Sequence, residues 1–200
     1  MDIKKLKNWK EHPKFLELKS HLENEKVRKS LRWMFEIAVT LVFAALTAVL
    51  MFQTVTMQES SMEPTLSVGD RFFMNRVVYK LSSPKRGDII VFRTNASDDA
   101  ALHIRRVIGL PGETVQIRDG QIYIDGELYD ESRDFPEITN PGLAENGVSL
   151  KAGEYFVLGD NRNNSEDSRY ANIGMVKKRY IVGKIWFTCF PFEKIGLMKG

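Results

Sequence analysis

Two hundred residues, 43% of them apolar and 10% aromatic, suffice for one globular domain with a core and exclude a disordered tail. Cys189 is the only cysteine, which excludes a disulfide within the chain and a four-cysteine zinc site. Three widely spaced histidines without a His-x-x-x-His pattern argue against a metal enzyme. The net charge is only +3, but it is unevenly spread.

The first 32 residues carry Lys4, Lys5, Lys7, Lys10, Lys14, Lys19, Lys26, Arg28, Lys29 and Arg32. A basic block directly before an apolar run reads as a cytoplasmic, lipid-facing flank rather than a nucleic-acid arm, so no nucleic acid is expected as a partner. Within it, residues 4–19 include Leu6, Trp9, Phe15, Leu16 and Leu18. They form either an amphipathic membrane-surface helix or, because Pro13 interrupts them, a loosely ordered tail.

Residues 37–52 read IAVTLVFAALTAVLMF and hold no charge. With Trp33, Met34 and Phe35 they make about 20 residues interrupted only by Glu36, the length a bilayer core requires. No small-residue cleavage site follows directly, so the anchor reads as retained. The expected organisation is a basic cytoplasmic segment over 1–32, a transmembrane helix over 33–52 and an extracytoplasmic domain over 53–200. That describes a single-pass cell-membrane protein with its N-terminus inside.

Beyond the anchor, short runs rich in Val, Ile, Phe and Tyr alternate with Gly, Pro, Asn and Asp. Strands are predicted over 71–79, 88–93, 102–108, 114–118, 121–124, 154–158 and 181–187. Asp119-Gly120, between two alternating runs, predicts a hairpin. Residues 130–147, with Pro136, Pro141 and Gly142, read as a loop. Many short strands and no long helical pattern imply a mainly β, all-β outer domain. Cys189 reads as a core thiol, and the aromatic stretch 186–192 reads as either a core strand or a membrane-interface element.

Three segments stand out: Ser60-Ser61-Met62-Glu63-Pro64-Thr65-Leu66, His103-Ile104-Arg105-Arg106-Val107-Ile108-Gly109-Leu110-Pro111-Gly112, and 159–169 with Gly159-Asp160-Asn161 at its head and Asn164-Ser165-Glu166-Asp167-Ser168-Arg169 at its tail. Each alone is a plausible turn or polar loop. Together, in this order behind one anchor, and with Gly69-Asp70 and Arg86-Gly87-Asp88-Ile89-Ile90, they resemble the bacterial type I signal peptidase family, in its single-span Gram-positive form.

The resemblance implies a membrane-anchored serine endopeptidase with a signal-peptidase-like β catalytic domain. Such an enzyme cleaves signal peptides from secreted preproteins after small residues of the Ala-x-Ala type. It implies no cofactor and no metal, with preproteins, membrane lipid and the secretion translocon as partners. By motif, Ser61 would be the nucleophile, position 105 the base, and Ser165 the residue that orients the base. Asp160 and Asp167 would pair with arginines such as Arg106 and Arg169, and Met62, beside the nucleophile, would help line the small-residue pocket. From Phe52 to Ser61 the extended chain reaches at most about 30 Å, which keeps the nucleophile near the membrane. The Ser61 backbone amide would contribute to an oxyanion hole, worth about 3 kcal/mol per donor.

One position departs from the pattern. The family's general base is a lysine, and this sequence has Arg105 there. A lysine can release its proton when buried, whereas a guanidinium stays protonated and only donates. Glu59, two before the nucleophile, stands where the family has a small residue or a serine, and an inward-pointing carboxylate there would disfavour a nearby oxyanion. Three readings stay open. His103, on the same strand face about 7 Å from Arg105, is an alternative base. The chain is instead an impaired accessory or chaperone protein for exported or pilus-type proteins. Or Arg105 is tolerated, with residual rate from the oxyanion hole and substrate binding alone. A self-cleaving repressor-type protease is disfavoured by the anchor and by the lack of a DNA-binding module.

Overall fold

The structure is a computed structural model that describes residues 13, 25–95, 97, 100–131 and 135–198. The amphipathic segment expected over 4–19, apart from Pro13, lies outside the described residues. The chain divides into two compact units, residues 1–50 and 51–200.

In the first unit, α1 (Glu25–Met51) begins ahead of the expected Trp33, so the basic residues Lys26, Arg28, Lys29 and Arg32 form its opening turns. Propensity explains the early start: Lys, Arg, Leu and Glu are good helix formers, and Glu25 pairs with Lys29 one turn on at 2.8 Å. The helix is long and apolar enough to cross a membrane. Its large apolar side chains from Leu31 to Val49 are 45–77% exposed.

The second unit is mainly β, and all its strand pairs among the described residues are antiparallel. Its elements are β1 (Phe52–Thr56), β2 (Arg71–Asn75), α2 (Val78–Leu81), β3 (Ile89–Arg93), β4 (Leu102–Gly109), β5 (Thr114–Arg118), β6 (Gln121–Ile124), β7 (Glu127–Leu128), β8 (Val148–Ser149), β9 (Glu154–Leu158), β10 (Val176–Lys177), β11 (Ile181–Phe190) and β12 (Gly196–Leu197). The larger sheet runs β1-β2-β11-β3-β4-β9-β10, with β12 added to β11, and the smaller runs β7-β6-β5-β8.

The apolar run Ile-Ile-Val-Phe makes β3 a strand buried on both faces. Ile89 and Val91 join a cluster with Met57, Met62, Leu66, Phe72 and Ile104, while Ile90 and Phe92 pack on the other side with Val107, Tyr155 and Val157. The smaller sheet has its own core around Val115, Ile117, Ile122 and Leu150. Asp119 and Gly120 both take positive φ (52° and 75°), the pair that a two-residue hairpin turn needs, and Arg118 and Gln121 face each other across it.

Two strand ends differ from expectation by more than a single residue, for identifiable reasons. The strand predicted over 71–79 stops at Asn75, whose side-chain oxygen accepts from the amides of Val77 (2.9 Å) and Val78 (3.0 Å) and turns the chain into α2. β11 continues past 187 to Phe190, held against β2 and joined by β12. Phe190 and Phe192 are exposed, at 46% and 76%, so the end of this aromatic stretch is not core. Cys189 is partly buried and donates from Sγ to the carbonyl of Arg71.

Candidate active site

Ser61 sits in a short 3-10 turn, Ser60–Met62, in the connection from β1 to β2. Apolar neighbours fix that turn. Met62 (0% exposed) and Leu66 (1%) are sunk in the core cluster, and the Leu66 amide donates to the Met62 carbonyl at 2.9 Å. Burying such side chains is worth roughly 2–3 kcal/mol each, so the serine directly before Met62 has little freedom. Met62 is therefore a core anchor. Its side chain is taken up by that cluster, and Met62 is not among the residues lining the cavity or the groove described below.

A second clamp comes from the segment after β9. The Asn161 amide donates to the Ser61 carbonyl at 3.0 Å, its side chain donates to the Ser60 carbonyl at 3.1 Å, and the Asn164 side chain donates to the Ser60 hydroxyl at 3.1 Å. Gly159 lies so close to the Ser61 carbonyl and to Ser165 that no side chain fits on it.

Buried ion pairs shape this segment. Arg106 grips Asp160 with two bonds, Nε to Oδ1 at 2.8 Å and Nη2 to Oδ2 at 2.7 Å, and uses Nη1 on the Gly87 carbonyl. Arg169 grips Asp167 likewise at 2.8 Å twice, while Asp167 Oδ2 also accepts from the Gly159 amide. Arg162 pairs with Glu131 through both Nη atoms and donates from Nε to the Gly159 carbonyl. Asp160, Asp167, Arg106, Arg162 and Arg169 are all at most 3% exposed. Charges so buried are tolerable only because each is paired and hydrogen-bonded.

β4 supplies the remaining groups. Ile104 points into the core cluster, so His103 and Arg105 share the opposite face. Arg105 is 1% exposed. Its Nη1 donates to Ser61 Oγ at 2.7 Å, its Nη2 to Glu59 Oε2 at 3.0 Å and its Nε to the Glu166 carbonyl at 2.8 Å. Ser61 Oγ in turn donates to Glu59 Oε2 at 3.3 Å. His103 Nδ1 is 3.9 Å from Glu59 Oε1 and has no hydrogen-bond partner among the described residues. Burial, and then the Arg105 charge, hold its pKa below the ordinary histidine value, only partly opposed by Glu59 and Glu166. Ser165 Oγ is buried without a hydrogen-bond partner among the described residues and packs on Gly159, so it makes no bond to Arg105.

Glu59, Ser61, His103, Arg105, Ser165 and Tyr170 are among the residues lining one cavity of about 670 Å³. A groove of about 420 Å³ runs along 53–59, with Met57, Leu102 and Ile104 contributing apolar surface. The arrangement therefore offers a fixed hydroxyl with a cation and a carboxylate on it, beside a partly apolar groove.

The 159–169 motif contained Asn161, Arg162 and Asn164 but gave them no role in the site, and Glu131 escaped sequence reasoning altogether. Glu131 had no signal in the sequence, since it lies 31 positions from its partner.

The family model for signal peptidase, peptidase S26, matches residues 30–190. A probable signal peptidase I-2 of Synechocystis sp. (strain ATCC 27184 / PCC 6803 / Kazusa) is 40% identical over 144 residues, 70% of this chain and 63% of that protein, so the chain spans a little under two thirds of its length. Signal peptidase I T of Bacillus subtilis (strain 168) is 36% identical over 178 residues, 86% of this chain and 91% of that protein. Among solved structures, the crystal structure of a signal peptidase I from Enterococcus faecalis V583 is 35% identical and covers 51% of this chain and 96% of its own, with a TM-score of 0.41.

Proposed function

Because the chain belongs to the signal peptidase family, peptidase S26, we propose that it is a membrane-anchored serine endopeptidase that removes N-terminal signal peptides from exported preproteins. It cuts after small residues of the Ala-x-Ala type, with Ser61 as nucleophile. The observation that carries this reading is Ser61 itself, whose residue lines the 670 Å³ cavity while Met62 in the core and the Asn161 amide hold its backbone. In this role Ser61 Oγ attacks the scissile carbonyl carbon, and its backbone amide supports the oxyanion, a contribution of about 3 kcal/mol per donor. The groove along β1 receives the extended substrate, and Met57 and Ile104 favour a small apolar side chain there.

The same reading assigns 1–32 to a cytoplasmic segment, 33–52 to the membrane span and 53–200 to an extracytoplasmic catalytic domain. Lipid and the secretion translocon are the partners this placement implies. Arg106, Asp160, Asp167 and Arg169 act as positioning residues that shape the segment clamping Ser61, and Ser165 packs beside them.

One observation favours a second reading, a chain of this family kept for binding exported or pilus-type proteins. Arg105 occupies Ser61 Oγ as a donor and cannot accept its proton. Cleavage of an Ala-x-Ala preprotein in detergent or lipid by the wild type and by Ser61→Ala separates the two. Product from the wild type alone establishes the peptidase, and equal absence of product establishes the binder.

A further inference from the structure

We propose that Glu59 is the general base of this site, its carboxylate taking the Ser61 proton while Arg105 holds the two oxygens in register. The inference rests on the reading of the chain as a Ser61 peptidase.

The geometry points one way. The only hydrogen-bond acceptor recorded for the Ser61 hydroxyl among the described residues is Glu59 Oε2, at 3.3 Å. Arg105 spans the pair like a fork, with Nη1 on Ser61 Oγ at 2.7 Å and Nη2 on Glu59 Oε2 at 3.0 Å. A planar guanidinium fixes the spacing of its two partners, which a lysine ammonium does not. Arg105 itself is fixed by its bonds to the Glu166 and Ile104 carbonyls and is 1% exposed. Other groups of the cavity with proton-accepting atoms are placed for something else, and the Glu166 carboxylate accepts from the Asn172 side chain at 3.0 Å. His103 Nδ1 lies 3.9 Å from the far oxygen of Glu59, and Ser165 Oγ has no hydrogen-bond partner among the described residues.

Charge balance supports the same assignment. In the resting site the buried Arg105 cation is countered by Glu59. When Ser61 attacks, its O–H bond breaks and the proton passes to Glu59 Oε2. The electron pair of that bond forms the new C–O bond, and the carbonyl π pair moves onto the substrate oxygen. Glu59 becomes neutral as negative charge grows on the oxygens around Arg105, so the guanidinium exchanges one counter-charge for another and is never buried alone. As the tetrahedral species collapses, Glu59 returns the proton to the departing amine, the C–N bond breaks and Ser61 is left as an ester. Water then attacks the ester, losing its proton to Glu59, and Glu59 passes it back to Ser61 Oγ as the acid leaves. Glu59 is 46% exposed on its side chain and lines the cavity, so it can meet both the amine and the water. Carboxylates are established general bases, typically worth about 10²–10⁴-fold.

The test uses the full chain in detergent micelles with an Ala-x-Ala preprotein. Wild type, Ser61→Ala, Glu59→Gln, Glu59→Asp and Glu59→Ala are compared for kcat, KM and thermal melting. The expected result is an active wild type and an inactive Ser61→Ala, with Glu59→Gln about 10²-fold or more lower in kcat at little change in KM. Glu59→Asp keeps the counter-charge for Arg105 but draws the carboxylate back by one methylene, so it folds and still loses about tenfold in kcat. That variant carries the test if the Gln form melts early. In Glu59→Ala, added formate and acetate restore turnover, and the restored rate rises with the basicity of the carboxylate, which a purely structural role would not produce. Glu59→Gln or Glu59→Asp within about threefold of wild-type kcat overturns the assignment while leaving the peptidase reading intact. A wild type no faster than Ser61→Ala overturns both.

Discussion

Gly159 and Ser61 are packed backbone against backbone: a Cβ on Gly159 would collide with the Ser61 carbonyl oxygen and with Ser165 Oγ. The glycine is required for space, not for an unusual φ, and it lets the 159–169 segment press on the nucleophile's own turn. Gly159→Ala must push that turn or Ser165 aside. Overpacking of this kind costs about 1–3 kcal/mol, or a few degrees of melting temperature per kcal/mol for a domain of this size. The larger expected effect is on rate, since misplacing a reacting group by about 1 Å costs on the order of 10²-fold. Calorimetry and preprotein cleavage by Gly159→Ala check this. A variant with unchanged kcat would show that the contact does not position Ser61.

The relation between Arg105 and Glu59 predicts the outcome of restoring a lysine. Arg105→Lys alone places an ammonium beside a carboxylate that already lies 3.0 Å from the guanidinium. A neighbouring anion favours the charged form of the lysine and so opposes its use as a base. The substitution also loses the second arm of the fork, so kcat falls or stays level. Glu59→Ser together with Arg105→Lys removes the anion and leaves a lysine, buried where Arg105 was, that can give up its proton. The double variant is therefore expected to exceed Arg105→Lys in kcat by about tenfold or more, a coupling that a double-mutant cycle measures directly. Additive effects would mean that the two positions do not act as a unit.

Much of the fold was legible in the sequence because period and turn chemistry are local. Residues 114–118, 121–124 and 154–158 form strands as predicted, and Asp119-Gly120 turns between two of them. The two-residue strands β7, β8, β10 and β12 were not legible, since so short a run has no period and forms only because a partner strand is already there. In the site, the motifs located Ser61, Arg105 and the 159–169 segment. They could not tell where Glu59 points, because that depends on a guanidinium 46 positions away reaching across from β4. Nor could they tell that Met62 turns into the core while its neighbour faces the cavity.

His103 gives the native state a pH dependence whose sign follows from its surroundings. Burial first, and Arg105 second, hold its pKa below the ordinary value of 6.5, while Glu59 and Glu166 pull the other way and the Phe92 ring lies 5.7 Å off. Once the pH drops below 6.5, the unfolded chain protonates this histidine and the native site resists. The unfolded state then binds more protons, so stability is present above that pH and is lost as pH falls toward the native value. His103→Gln removes the titration and keeps a neutral polar side chain of similar size. The drop in melting temperature between about pH 7.5 and about pH 5.5 should therefore be smaller in the variant than in the wild type. Equal drops would mean that the histidine protonates as readily in the fold as outside it, and that Glu59 outweighs burial and Arg105 together.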